Sequence, residues 1–258
     1  MKKKPVILVT NDDGINAKGL QKLSNIASEF GDVIVVAPEM GQSGMSHAIT
    51  IKVPLALDEV KRENRKAVYS TNGTPVDCVK LALNQLFDKK PDLVLSGINH
   101  GSNSSISIFY SGTMGGAIEG CLNGIPSIGF SVLDFSTSPD FEIAEKYARV
   151  IIKNVLENGL PEYVCLNVNV PVVKKENFNG IKVCRQTRGV WQEEFEKRTN
   201  PHNREYYWLT GEYANLEPLA KDTDEWALNN NYISVVPVKI DLTDHNAIKK
   251  LKKWNYEI

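Results

Sequence analysis

An apolar, mostly β-branched run, Val6-Ile7-Leu8-Val9-Thr10, stops abruptly at Asn11-Asp12-Asp13-Gly14. A strand without polar alternation is buried on both faces, and a parallel sheet covered by helices supplies that burial. The residues that follow keep alternating between strand and helix patterns. Gly19–Phe30 places Leu20, Leu23, Ile26 and Ala27 at helical spacing, and Val33–Ala37 is a second strand. Ile49–Leu57 and Ala67–Ser70 read as shorter strands of a small antiparallel excursion. Val76–Phe87 is a helix with Val79, Leu83 and Leu86 on one face, and Leu93–Ser96 is a buried strand. A glycine- and serine-rich loop, Gly97–Gly112, leads into a helix of small residues, Thr113–Asn123. Ser127–Ser131, Phe141–Asn158 and Tyr163–Val168 read as strand, long helix and strand. This alternation predicts an α/β fold with a mostly parallel sheet flanked by helices.

Beyond Pro171 the character changes. Lys174–Leu219 mixes charges with Trp191, Tyr206, Tyr207 and Trp208. Its strand-like segments, Ile181–Arg185 and Tyr206–Thr210, predict a protruding β-hairpin region whose aromatics suit a subunit interface. The chain returns with a strand at Tyr232–Pro237 and a helix at Asp244–Trp254.

Composition narrows the class. The 42% hydrophobic and 24% charged content suits a globular domain, and a net charge of -1 provides no basic surface for nucleic acid. Behind Lys2, Lys3 and Lys4, the apolar segment Pro5–Thr10 is too short for an export signal. No apolar run approaches the ~18 residues of a membrane span. The expected location is cytoplasmic. Cys78, Cys121, Cys165 and Cys184 form no CxxC pair and read as reduced buried thiols.

Four loops fall at predicted strand ends and are rich in small oxygen donors. They are Asn11-Asp12-Asp13, Ala37-Pro38-Glu39-Met40-Gly41-Gln42-Ser43-Gly44, Ser96-Gly97-Ile98-Asn99-His100-Gly101-Ser102-Asn103, and Tyr110-Ser111-Gly112-Thr113. Two adjacent carboxylates repel each other unless a cation neutralises them. Carboxylate, hydroxyl and amide oxygens are what Mg²⁺ or Mn²⁺ prefers. Ser111-Gly112-Thr113 at a helix start offers free N–H groups to a phosphate, and Gly112 lets the backbone approach it without a Cβ. On this reading the phosphate turn and the metal ligands lie on separate, independent loops.

The blocks NDDG, APEMGQSG, GTPVDC, PDLVLSGINHGSN, YSGTMGGAIEG, LNVNVP and DTDEWALNNNYISVVPV occur in one order from Asn11 to Val238. Together they resemble the SurE (survival protein E) family of metal-dependent nucleoside-monophosphate phosphatases. The resemblance implies a Rossmann-like core, an extending hairpin and a C-terminal arm exchanged between subunits of a homodimer or homotetramer. It divides the single domain 1–258 into a core (about 1–171 plus 232–238), a hairpin and oligomerisation region (about 174–220) and an arm (about 222–258). It implies hydrolysis of nucleoside 5′- and 3′-monophosphates, with short polyphosphate a further candidate. One divalent cation per subunit, Mg²⁺ or Mn²⁺, would be held by Asp12, Asp13, Ser43 and Asn99. Asn11, Asn103, Ser111, Gly112 and Thr113 match positions lining the phosphate site, with Asp12, Asp13 and Asn11 the expected catalytic residues. Met114, Gly116 and Asn229-Asn230-Asn231 depart from residues usual in the family.

His47 and His100 lie near the donor loops and read as rim residues able to assist proton transfer, whereas His202 and His245 read as solvated. Asp222 and Asp224 read as a capping or inter-subunit pair. A haloacid-dehalogenase pattern needs D-x-D, and the aspartates here are adjacent. A dinucleotide fold needs G-x-G-x-x-G after the first strand, and that is absent. Against a nucleotide-binding regulator without turnover, the intact ligand set with a position left for water favours an enzyme, a 5′-nucleotidase.

Overall fold

The structure, a computed structural model, describes residues 4–63, 65–136 and 139–256. Lys2, Lys3 and the last two positions of the expected arm lie outside the described residues. In chain order the first elements are β1 (Val6–Thr10), α1 (Lys18–Phe30), β2 (Asp32–Pro38), β3 (Asp58–Glu63), β4 (Lys66–Thr71) and α2 (Pro75–Gln85). Then come β5 (Leu93–His100), α3 (Gly112–Leu122), β6 (Ser127–Val132), α4 (Glu142–Asn158) and β7 (Val164–Val170). The remainder holds β8 (Gly180–Val183), β9 (Gly189–Gln192), β10 (Phe195–Thr199), β11 (Glu205–Leu209), β12 (Glu212–Asn215), α5 (Asp224–Asn229), β13 (Tyr232–Lys239) and α6 (His245–Leu251).

A nine-stranded sheet runs in the order β3-β4-β2-β1-β5-β6-β7-β13-β8. Neighbours are parallel from β4 through β7 and again between β13 and β8, while β3–β4 and β13–β7 are antiparallel. The first strand shows why its sequence lacks polar alternation. Ile7 and Val9 pack in the cluster that holds Leu20, Leu23 and Ile26 of α1 and Ile152 of α4. Leu8 points the other way, onto Cys78, Val79 and Ala82 of α2. Helix α2 starts with a full capping box, Thr74 and Asp77 satisfying each other's backbone donors, followed by Pro75. The four cysteines are free and buried.

Several elements differ from the sequence expectation. Ile49–Leu57 is not a strand. Its Thr50 and Ala56 amides are bonded by the Asp77 carboxylate and the Asn72 amide oxygen, so side chains replace a ladder, and Pro54 removes a donor. The antiparallel excursion is instead β3, an exposed run of Asp, Glu, Lys and Arg whose charges suit a sheet edge. The Gly97–Gly112 loop is shorter than expected. Strand β5 continues to His100, pairing Asn99 with Ser131, and Ser105–Phe109 forms a 3-10 turn. Ile181–Val183 belongs to the main sheet, because β8 lies along β13. The protruding part is β9–β12, where β10 pairs with β11 and β9 with β12. Within the expected arm, the stretch from α5 through β13 belongs to the body, with Ala227, Leu228 and Ile233 buried.

Candidate active site

The chain first winds outward in the order β1, β2, β4, then crosses back to lay β5, β6 and β7 on the other side of β1. The turnover lies between β1 and β5, and open α/β sheets hold ligands in the crevice at that point, beyond the strands' carboxyl ends. Asn11, Asp12 and Asp13 follow β1 there, and Asn99 closes β5. Helix α1 reaches this crevice closely: a Cβ on Gly19 would lie 2.0 Å from the Ile98 carbonyl oxygen. Any larger residue at that position would displace the end of β5 that carries Asn99.

The loop bearing Ser43 is tied to the same place. Gln42 donates its N–H to the Asp12 carbonyl at 2.7 Å, and Ile15 donates to the Pro38 carbonyl at 2.8 Å. Ser43 itself is exposed beside this junction. The donors Asp12, Asp13, Ser43 and Asn99 therefore come from the ends of three neighbouring strands, β2, β1 and β5.

Electrostatics at the aspartates are unfavourable without a counterion. Burial pushes the Asp12 carboxyl up to about 6, against the Thr113 hydroxyl bond and aided by the Asp13 charge. Burial also raises Asp13, opposed by the charge and backbone amide of His100. Among the described residues Asp13 Oδ2 and Asn11 Oδ1 are buried with no hydrogen-bond partner, although Asn11 Nδ2 is held by the Gly14 carbonyl at 3.0 Å. Buried oxygens left unpaired are costly, and a hard divalent cation satisfies such a set. The all-oxygen donors fit Mg²⁺ or Mn²⁺ better than a softer metal.

Asn103 is engaged entirely within the protein. Its N–H donates to Asn169 Oδ1 at 2.8 Å, its carbonyl accepts from Asn167 Nδ2 at 2.7 Å, and its amide donates to Ser131 Oγ. Its Oδ1 faces Asn99 Nδ2 at 3.4 Å, so the residue braces Asn99 instead of reaching outward. Asn167 and Asn169 alternate with apolar residues on β7, which places both on one face of a buried strand. That pattern was the available signal for this brace, visible only once a partner loop is known.

At the start of α3, Ser111 accepts from the Met114 N–H at 3.0 Å and keeps its hydroxyl proton free to donate. Thr113 donates its hydroxyl to Asp12 Oδ1 at 2.5 Å and so orients a carboxylate. Gly112 carries a second constraint that its sequence position does not reveal. A Cβ there would sit 2.9 Å from Asp12 Cβ and 3.1 Å from Asp12 Oδ2. The Ser111-Gly112-Thr113 turn and the aspartate loop are thus packed against each other and not independent. His47 is turned to Glu119 at 3.2 Å, while His100 stacks edge-on to Phe141 beside Asp13. His202 is exposed, and His245 pairs with Asp241. Asp222 is paired with Arg185, and Asp224 is buried.

A family profile described as "Survival protein SurE" matches residues 7–193. A protein of Christiangramia forsetii named "5′-nucleotidase SurE" is 57% identical over 256 residues, covering 98% of both chains. The chain belongs to the SurE family. A Flavobacterium psychrophilum relative of the same name is 54% identical over 98% of both chains. The crystal structure of the SurE protein from Aquifex aeolicus superposes with a TM-score of 0.83 at 40% identity, covering 96% of this chain and 98% of that one. Two departures of this SurE-family chain have a local reason. Asn231 sits at φ 63°, a left-handed position that Asn tolerates better than most residues where glycine is usual. Gly116 leaves room for Thr10 Cγ2 and Ser96 Oγ, which would lie 2.9 and 3.0 Å from a Cβ.

Proposed function

We propose that this SurE-family chain is a divalent-cation-dependent 5′-nucleotidase, hydrolysing nucleoside 5′-monophosphates to nucleoside and phosphate. Nucleoside 3′-monophosphates and short polyphosphate are further candidate substrates. One observation carries the reading: the adjacent carboxylates of buried Asp12 and half-buried Asp13 stand at the sheet's turnover point, with Asp13 Oδ2 unpaired and Asp12 against the first turn of α3. Asp12, Asp13, Ser43 and Asn99 would hold one Mg²⁺ or Mn²⁺ per subunit. When bound, the cation supplies Lewis acidity toward a phosphoryl oxygen and water.

The chain's own groups do the positioning. Ser111 donates its hydroxyl proton to a phosphate oxygen while its oxygen stays on the Met114 amide. The Gly112 N–H, in the first helical turn, has no carbonyl partner within α3 and faces the same ligand. Thr113 fixes Asp12, and Asn103 fixes Asn99. Water attacks phosphorus, the ester P–O bond breaks, and the departing ribose oxygen takes a proton from the attacking water. Charge that builds on the phosphoryl oxygens meets donors already in place. Phosphate release from a nucleoside 5′-monophosphate is expected with Mn²⁺ or Mg²⁺ and is expected to vanish with chelator. The 3′-isomer and tripolyphosphate, run alongside, rank the substrates. Absence of release under every cation condition overturns the proposal.

The same reading makes the protein a homodimer or homotetramer. Phe195, Tyr207, Trp208 and Leu209 on β10–β11 are exposed, an uneconomical surface for a lone chain. An apolar cavity of about 480 Å³ lies between α3 and β13, lined by Ile108, Ile118, Val238 and Ile240. Sedimentation at micromolar concentration is expected to show a dimer or larger; a monomer would remove this part of the proposal.

A further inference from the structure

We propose that Asp224 is a positioning residue that fastens the phosphate turn to the base of the protruding hairpin. This rests on the nucleotidase reading of the same site. Asp224 is fully buried, and among the described residues no Lys, Arg or His is a hydrogen-bond partner of it. Its Oδ2 accepts the Ser105 N–H at 2.8 Å. Its Oδ1 accepts the Thr187 N–H at 2.9 Å, the Thr187 hydroxyl at 2.5 Å and the Glu225 N–H at 2.9 Å. One carboxylate therefore joins three segments: the loop after β5, the loop leading into β9, and α5.

Ser105 needs such an anchor. It stands at φ 51°, in the left-handed region that residues with a Cβ disfavour. The hairpin holds it from every side. Its hydroxyl donates to the Thr187 carbonyl at 2.9 Å, its carbonyl accepts from Gln186 Nε2 at 2.9 Å, and Tyr213 donates to its Oγ at 2.8 Å. Next to it, Ser104 donates to the Glu225 carboxylate. From there the chain has little freedom. Ser107 N–H bonds the Ser104 carbonyl at 3.0 Å, and Tyr110 N–H bonds Ser107 at 3.1 Å, immediately before Ser111. Asn103, on the other side of Ser104, is held by β6 and β7. The placement of Ser111 and Gly112 relative to Asp12 is thus set partly by a hydrogen-bond hub that touches neither substrate nor cation. An amide in place of the carboxylate turns a donor toward donors and opens the hub at one of its oxygens.

The test pairs Asp224→Asn with Ile152→Val, a core substitution on α4, both in the full-length protein. Backbone hydrogen exchange across 103–113 is expected to rise at least tenfold in Asp224→Asn and to stay unchanged in Ile152→Val. For 5′-monophosphate hydrolysis with Mn²⁺, kcat is expected to fall at least tenfold in Asp224→Asn only, with Mn²⁺ affinity within threefold of the parent. Unchanged exchange across 103–113 overturns the proposal whatever the activity. Faster exchange with an unaltered kcat overturns it as well. A parent protein that releases no phosphate removes the nucleotidase reading instead, and exchange then decides the anchoring alone.

Discussion

Asp12→Asn is expected to lose cation-dependent phosphate release by roughly a hundredfold or more, while the cation-free protein becomes more stable at neutral pH. The two effects have one origin. Asp12 is buried beside Asp13, and its carboxyl is raised from 3.8 to about 6. Between those values the folded state retains a proton that the unfolded chain has released. The stability owed to that proton is complete below pH ~4 and is lost as the pH climbs through ~6, following the linkage between proton binding and folding. Asparagine has no such proton to lose and still offers an oxygen to Thr113. A gap on the order of 3 kcal/mol in favour of the variant is therefore expected at pH 7.5, closing toward pH 4. Urea unfolding of both proteins in chelator at the two pH values measures it. A gap of equal size at both would show that burial of the charge is not the cause.

Gly112→Val is expected to weaken cation binding and turnover together. The contact of a Cβ with Asp12, at 2.9 Å, leaves no room for a branched side chain, so either α3 retreats or the carboxylate turns. Overpacking of this kind costs about 1–3 kcal/mol of stability. The shift of Asp12 reaches the proposed ligand set directly. Cation titration by calorimetry and kcat from phosphate release are the paired measurements. Intact affinity with lost turnover would restore the simpler view in which this turn serves the phosphate alone.

Much of the core was legible because burial on both faces leaves a plain mark. The Val6–Thr10 run matches β1 end to end, and the helices expected at Gly19–Phe30 and Phe141–Asn158 lie within a residue of α1 and α4. Hydrophobic spacing carried those readings. It misled at Ile49–Leu57, where apolar residues lie at the surface and the backbone is held by Asp77 and Asn72. Periodicity cannot tell a strand from an extended loop pinned by distant side chains. The reverse error hid β3, whose charges carry no apolar signal although its backbone pairs with β4. At the site, the oxygen-rich loops stood out by composition, and the structure brings the first three to adjoining strand ends. What remained hidden were relations across the sheet. Nothing local announces that Gly112 lies against Asp12, that Asn167 and Asn169 brace Asn103, or that Asp224 reaches Ser105. Each of those contacts spans 64 or more positions.

The crossing from β4 back to β5 also orders events on the ribosome. A nascent chain that has emerged only through β4 holds Asp12, Asp13 and Ser43 but neither Asn99 nor the turn at Ser111. In the finished fold β1 lies between β2 and β5, so the two aspartates after β1 sit beside a strand that such a chain does not yet contain. Synthesis has to continue past residue 113 before the donors can converge. On the proposed reading, a product interrupted before residue 111 lacks the turn at Ser111, and one interrupted before β5 lacks Asn99 as well.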